Sequence, residues 1–262
     1  MIRLIALLTV AGLAAALPDV SHGQVSLSTA INKSGRMRML SQRIVKAQAQ
    51  YAHGILLDRA GDVLRTSVRE MGEGLDELKR VQPTAEIKAT YTQLDAKARP
   101  FLSAAAVVAK HDATRLAALN AQADEVLELA HKLTGLYEQA GKAAGAKLIN
   151  VAGRQRMLSQ RMSKNYFLIH LRVQGVTPAE IARDQKEFVS ALAMLRGAPL
   201  TNAPIKQDLD LADVQWVFFD NALGAKTADR SALQNVATTS ERILEVMDDL
   251  TLQYDQALKD LL

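Results

Sequence analysis

The sequence predicts an all-α protein made of two tandem up-and-down four-helix bundle units. Apolar residues make up 48% of the 262 residues, but aromatic residues make up only 4%. A composition rich in Ala and Leu favours helices, whereas strands are enriched in β-branched and aromatic residues. No stretch alternates with period two for long, as a half-buried strand would. An internal repeat further predicts that the helices fall into two similar units.

The repeat is clearest in the segment INKSGRMRMLSQR at residues 31–43, which returns as INVAGRQRMLSQR at residues 149–161. Ten of the thirteen positions are identical, and we call the two segments the first and second box. Weaker matches at nearly the same offset are Ile87 with Ile205, Phe101 with Phe219 and Tyr137 with Tyr254. The sequence therefore predicts a first helical unit at 25–141 and a second at 142–262.

The N-terminal residues 1–23 have the pattern of a secretory signal peptide. Residues 1–3 form a short positive region, residues 4–17 are apolar, and residues 21–23 place small residues at the −3 and −1 positions of a cleavage site. An uncleaved membrane anchor is the alternative. The pattern predicts that the rest of the chain is exported and periplasmic.

Four helices are predicted in the first unit. The first runs over about 26–53 and the second over about 58–81, each ending where glycine or proline follows. The third starts at Thr84, and Pro100 should kink or break it because proline lacks the N–H of a helical hydrogen bond. The fourth runs over about 112–140.

The second unit repeats this order. Its first helix runs over about 147–173, and the sequence TPAE at 177–180 is a start signal for the next, with an N-cap Thr and a following Pro. The third follows Pro204 and the fourth starts near Asp229. Residues 140–145 join the units. A turn there would set the bundles side by side, and a continuous helix would stack them end to end.

Basic residues are concentrated around the boxes. Residues 25–57 contain no Asp or Glu but five basic residues, and residues 139–179 contain no acid but seven basic residues. Two positively charged segments, each centred on one box, indicate a local anion site rather than a uniformly basic surface.

A helical wheel of about 100° per residue places Asn32, Arg36 and Arg43 on one stripe together with apolar residues. Arg38 lies away from this stripe, and the second box repeats the arrangement. Because the planar fork of arginine matches oxyanions, the stripe predicts a small anion held between paired box helices. The alternative is that acids from the second and fourth helices neutralise the arginines.

Other chemistry is not indicated. The chain has no cysteine, and its five histidines lack the spacings of a zinc site. We therefore predict no cofactor, no metal site and no catalytic residue, and a protein that is not an enzyme. Export, and the lack of aromatic residues beside the arginines, argue against binding of nucleic acid.

The box Asn-x-x-Gly-Arg-x-Arg-Met-Leu-Ser-Gln-Arg, at 32–43 and 150–161, resembles the signature of the PilJ-type sensory domain of chemoreceptors linked to type IV pili. It is also similar to the nitrate-sensing box of nitrate/nitrite sensor kinases. The resemblance implies a four-helix bundle whose first helix pairs with that of another copy, with a small anion such as nitrate between them. The residues it implies for the site are Gly35, Gly153, Arg38, Arg156, Arg43 and Arg161.

The stripe and the resemblance together predict ten ligand-binding residues: Asn32, Gly35, Arg36, Arg38, Arg43, Asn150, Gly153, Arg154, Arg156 and Arg161. Because both boxes lie in one chain, one molecule can supply the pair, although a homodimer remains an alternative. We predict an exported sensory protein that binds a nitrate- or nitrite-like anion and acts with a membrane sensor kinase, chemoreceptor or transporter. The alternative function is an adaptor without a ligand, which pairs with a membrane chemoreceptor or type IV pilus component.

Overall fold

The computed structural model describes residues 20–107, 112–141, 144–225 and 227–261. Within these ranges the chain forms helices and no strand. The helices are α1 (Val20–His53), α2 (Leu57–Leu78), α3 (Ala85–Ala105), α4 (Ala113–Gly141), α5 (Ala144–His170), α6 (Pro178–Arg196), α7 (Ala203–Leu223) and α8 (Arg230–Lys259). The predicted all-α class with two four-helix units is confirmed.

Each unit is assembled around its first helix. In the first unit α1 packs against α2 and α4, and α3 packs against α4. In the second unit α5 packs against α6 and α8, and α7 packs against α8. The two bundles lie side by side, because α1 packs along α5 and also contacts α8, while α5 contacts α4. Of the two arrangements that the sequence left open, the structure therefore has the first.

Local capping signals determine where several helices begin. The side chains of Thr84, Asn202 and Asp229 each accept a hydrogen bond from the backbone N–H three residues further on. At the start of α6, the backbone N–H of Thr177 donates to the carboxylate of Glu180 at 2.9 Å. These bonds satisfy groups that a helix end leaves without an intrahelical partner.

Two predictions about helix boundaries need correction. Pro100 lies inside α3, and the helix continues to Ala105, so the expected break does not occur. Proline frees the carbonyl four residues earlier, which is that of Ala96, and both residues are exposed, so water can bind the freed group. Helix α1 begins at Val20, earlier than predicted.

The predicted signal peptide falls largely outside the described residues, since residues 1–19 are not among them and residues 20–23 begin α1. Among the helices that the structure describes, none is long and apolar enough to cross a membrane.

The repeat extends into the core, as the weaker matches predicted. Tyr137 and Tyr254 are both fully buried, and each hydroxyl donates to a backbone carbonyl near the end of the second helix of its own unit. The acceptors are Val81, three residues beyond α2, and Leu195, in the last turn of α6. The two phenylalanines and the two isoleucines of the weaker matches are also buried. Equivalent residues therefore occupy equivalent places, with a single-residue slip before the fourth helix.

Candidate functional site

The two boxes lie opposite each other where α1 packs against α5. A Cβ atom built on Gly35 would lie 3.0 Å from Nη2 of Arg38 and 3.6 Å from Nη2 of Arg156. A Cβ atom built on Gly153 would lie 3.1 Å from Nη2 of Arg156 and 3.7 Å from Nη2 of Arg38. The two guanidinium groups therefore converge on the same short segment of the helix contact, in space that the absence of side chains on the glycines provides.

Arg38 and Arg156 each reach across to the opposite box. Arg38 Nη2 donates to the backbone carbonyl of Asn150 at 3.4 Å, and Arg156 Nη2 donates to that of Asn32 at 3.3 Å. The two side chains are 0% and 1% exposed. The reciprocal bonds relate the boxes by an approximate two-fold axis, and they bury two like charges close together.

The two buried arginines do not have equal partners. Arg156 Nη1 donates to Asp248 at 2.8 Å, and Arg156 Nη2 also donates to the side chain of Asn32 at 2.9 Å. Arg38 Nη1 instead lies 3.3 Å from Nδ1 of His131, and its Nε has no hydrogen-bond partner. Within the described part of the chain no carboxylate contacts Arg38. Its charge is the less compensated of the pair.

The pKa of Arg38 reflects its burial without a carboxylate partner. Burial, together with the positive charges of Arg154 and Arg156, lowers it to about 9, against the opposing charges of Glu138 and Glu187. Burial also lowers the pKa of Arg156, but the charge of Asp248 and its hydrogen bond oppose the shift. Removal of charge from water is costly unless a partner of opposite charge compensates it. A small anion beside Arg38 would supply that compensation.

Arg36 and Arg154, two residues earlier in each box, are neutralised by acids. Arg36 donates to Glu70 at 2.9 and 3.0 Å and to Asp248 at 2.8 Å. Arg154 donates through Nε and Nη2 to the two carboxylate oxygens of Glu187, with 3.2 Å for the second bond. Acids from the second and fourth helices were the alternative that the sequence left open, and for these two arginines the structure contains them.

Arg43 and Arg161, which close the boxes, also bind carboxylates. Both carboxylate oxygens of Glu241 accept from Arg43, and Arg161 makes two bonds of 2.7 Å to Asp184. The helical wheel had favoured these residues over Arg38 because they share a stripe with Asn32 and Arg36. The structure places this stripe on the part of α1 that is only partly buried, whereas Arg38 lies on another face and is fully buried.

A second polar layer lies one turn beyond the boxes. Lys46 on α1 donates to Glu241 on α8, and Lys164 on α5 donates to Asp124 on α4 at 3.1 Å. Both lysines are fully buried or nearly so. Each pair joins a box helix of one unit to the fourth helix of the other, so the layer links the two bundles electrostatically.

Four of the partners that sequence reasoning did not name lie on the fourth helices: Asp124 and His131 on α4, and Glu241 and Asp248 on α8. They stand outside the boxes and outside the basic segments, so nothing local marked them. The signal that could have found them is the repeat, because Asp124 and Glu241 are 117 positions apart, as are His131 and Asp248. No group of three or more metal-binding side chains is found among the described residues.

Substitution of the box glycines tests the convergence of the guanidinium groups. Alanine in the middle of a helix is favoured over glycine by about 1 kcal/mol, so Gly72→Ala, where an added Cβ meets nothing within 4 Å, should raise the free energy of unfolding by about that amount. Gly35→Ala and Gly153→Ala should not, because the new Cβ would crowd a buried guanidinium group. Thermal unfolding of the three variants measures this. Equal stabilisation by all three would show that the arginines can move away without cost.

A protein-family model described as "PilJ: Type IV pili methyl-accepting chemotaxis transducer N-term" matches the chain in two segments, residues 20–124 and 139–242. Each segment contains one box together with the helices that pack around it, so the match covers both repeats and most of the chain. None of the curated proteins and none of the solved structures compared with the chain matches it.

Proposed function

The chain belongs to the PilJ family of chemotaxis-transducer sensory domains, and on that premise we propose that its paired boxes form a sensory site for a small inorganic anion of the nitrate or nitrite type. The anion binds beside Arg38, where its guanidinium group converges with that of Arg156. The backbone carbonyls of Asn32 and Asn150 orient these two arginine side chains. The other predicted arginines hold the box helices in place by binding carboxylates of neighbouring helices. The function is sensory rather than catalytic.

One observation carries this proposal: two buried guanidinium groups converge between two glycines, and one of them, that of Arg38, has no carboxylate partner among the residues that the structure describes. Leaving a buried charge uncompensated costs several kcal/mol. Hydrogen bonds between guanidinium groups and an oxyanion return about 1.5–3 kcal/mol each. Binding of a planar anion therefore relieves a cost that the folded protein otherwise bears.

The expected affinity is modest. The most efficient small ligands gain about 1.5 kcal/mol per non-hydrogen atom, which for the four atoms of nitrate gives about 6 kcal/mol. This corresponds to a Kd of tens of micromolar or weaker. Such an affinity suits a sensor, because the fraction of protein that binds the anion then changes most at anion concentrations near the Kd.

Sensing follows from the placement of the anion between two helices. Without it, Arg38 and Arg156 repel each other across the contact of α1 with α5; with it, the helices can approach. A ligand shifts an equilibrium between two packings only through its different affinity for them. Here the difference arises at the contact that joins the two bundles, so anion binding changes how the bundles sit against each other.

The setting proposed for this sensor is the periplasm, after export directed by residues 1–23. Sensing domains of this family are typically periplasmic. The partner that receives the signal is proposed to be a membrane chemoreceptor, sensor kinase or transporter. A homodimer would place a second pair of boxes beside the first without being needed to complete it.

Calorimetric titration of the purified protein with nitrate, nitrite and chloride tests the proposal. We expect saturable heat with nitrate or nitrite and its loss in Arg38→Met, because that variant removes the uncompensated charge. Arg69→Ala is the control, since this exposed arginine on α2 pairs only with Glu73 one turn away. A folded protein that gives no heat with any of the three anions would overturn the proposal.

A second candidate function, the adaptor without a ligand, is favoured by one surface. Four apolar residues of α7 are 45–56% exposed: Leu211, Val214, Val217 and Phe218. The positions of α3 that correspond to them by the repeat offset of 118 are mostly not apolar: Gln93, Ala96, Arg99 and Pro100. An exposed apolar helix face is typical of a protein-binding surface. If the titrations give no heat, the adaptor function is better supported than the anion sensor.

A further inference from the structure

The approximate two-fold symmetry of the box pair is broken at one position. Asp248 on α8 accepts from Arg156 of its own unit and from Arg36 of the other unit, both at 2.8 Å. The equivalent position of the first unit, 117 residues earlier, is His131. The tyrosines that occupy equivalent core positions are separated by the same 117 residues, so the correspondence does not depend on the boxes.

His131 contacts the two arginines equivalent to those that bind Asp248, but it has no carboxylate. Its Nδ1 lies 3.3 Å from Nη1 of Arg38, in its own unit, and 3.5 Å from Nη1 of Arg154, in the other. A neutral imidazole nitrogen can accept from an arginine, but it brings no negative charge. One half of the symmetric arrangement thus contains a carboxylate bound to two arginines, and the other half contains two arginines around a neutral acceptor.

The position of His131 also determines how an anion can reach Arg38. Arg38 is fully buried, whereas His131 is exposed at the surface of α4. An anion that approaches Arg38 from this side meets the imidazole first. On the opposite side Asp248 presents a negative charge, which repels an anion and already binds Arg156.

We propose that the chain has one asymmetric anion site rather than two equivalent ones, located on the His131 side of the box pair, and that His131 binds the anion together with Arg38 while taking up a proton. This rests on the proposed function and assigns the residue that sets its affinity and its dependence on pH. The ligand is a monovalent inorganic oxyanion, because one uncompensated guanidinium group and one protonatable ring suit a single negative charge.

The charges around His131 give the sign of the pH dependence. Partial burial of the ring lowers its pKa, and Arg38 on α1 and Arg154 on α5 lower it further, while Glu128 on its own helix and Glu187 on α6 oppose them. The neutral form of the ring is therefore favoured in the free protein. A bound anion raises this pKa, so binding and proton uptake favour each other, and affinity increases as pH falls through the range between the two pKa values.

The size of the effect follows from linkage. Each unit by which the anion raises the pKa of His131 makes the affinity at low pH about tenfold higher than at high pH. The anions themselves do not change charge over the range from about pH 5 to about pH 8, where histidine titrates. Titration with nitrate at several pH values should thus give one anion per chain and a Kd that decreases toward low pH.

His131→Asp is the decisive variant. It makes the first unit equivalent to the second by supplying Arg38 and Arg154 with a carboxylate, so nitrate affinity should fall by about tenfold or more while the thermal stability is maintained or rises. A His131→Asp variant that binds nitrate as tightly as the wild type would overturn the proposal. Absence of binding by the wild type at every pH would instead refute the proposed function, so the two failures are distinguishable.

His131→Asn tests proton uptake separately from hydrogen bonding to Arg38. The amide can still accept from Arg38, but it does not titrate, so binding should persist with a Kd that is independent of pH. His170→Asn is the matched control: this histidine lies at the end of α5 beside Tyr166, and the pH dependence should remain. Retention of the full pH dependence in His131→Asn would show that another group takes up the proton.

Discussion

Replacement of Glu241 by alanine is expected to lower the free energy of unfolding by about 3–5 kcal/mol, because it leaves the buried amine of Lys46 without a carboxylate partner. In a chain of this size such a loss corresponds to a decrease in Tm of roughly 10 °C. The Lys46 side chain is 0% exposed and has no other carboxylate within reach among the described residues. Arg43, the other partner of Glu241, is partly exposed and can be hydrated instead.

The pKa values support a strong interaction. Burial alone would raise the pKa of Glu241, but the charges of Lys46 and Arg43 and their hydrogen bonds lower it to about 2. A carboxylate with a depressed pKa stabilises the folded state above its unfolded pKa, and this contribution is lost as pH falls through the folded value. The difference in stability between wild type and Glu241→Ala should therefore shrink below about pH 4.5 and largely vanish near pH 2.

Asp124→Ala is the matched control, because Asp124 is the equivalent acid of the first unit and pairs with Lys164. Lys164 is nearly fully buried, but the Asp124 side chain is 47% exposed, so water can take the place of the lost carboxylate and the loss should cost less, about 1 kcal/mol. The double variant Lys46→Met/Glu241→Leu should recover most of the stability lost in Glu241→Ala, since it removes both buried charges. Equal stability of Glu241→Ala and wild type by chemical denaturation would contradict this account.

Arg38→Met is expected to have the opposite effect on stability. It removes a buried guanidinium group that has no carboxylate partner and replaces it with an apolar side chain of similar length. Such replacements are neutral or stabilise by about 1–4 kcal/mol. The same substitution should abolish anion binding, so stability and function should change in opposite directions, as they often do at binding sites.

Arg156→Met tests whether removal of any buried arginine would stabilise the protein, or only removal of one without a carboxylate partner. Arg156 is equally buried but bound to Asp248 and to the side chain of Asn32, so its loss should destabilise the protein by about 1–3 kcal/mol. Chemical denaturation of the two variants measures the contrast. Destabilisation by Arg38→Met as large as that by Arg156→Met would show that Arg38 is compensated in the free protein.

Much of this architecture follows from local signals in the sequence. The helix starts at Thr84, Thr177, Asn202 and Asp229 are encoded by side chains that cap the following turn, and such interactions need no tertiary context. The repeat of the box predicted two similar units, because similar sequences bury similar faces. The family resemblance also implied a role for Gly35 and Gly153, and both lie at the contact of the box helices.

Tertiary structure alone decided which arginine faces which partner. A helical wheel groups residues by face, but it does not say which neighbouring helix each face meets, and α1 contacts several helices. The sequence therefore ranked Arg43 above Arg38, whereas the fold pairs Arg43 with Glu241 and leaves Arg38 without a carboxylate. It could not place His131 beside Arg38 either, because they are 93 positions apart and meet only when α4 packs against α1. Side-chain periodicity is a local property, but compensation of a buried charge depends on groups brought together from distant parts of the chain.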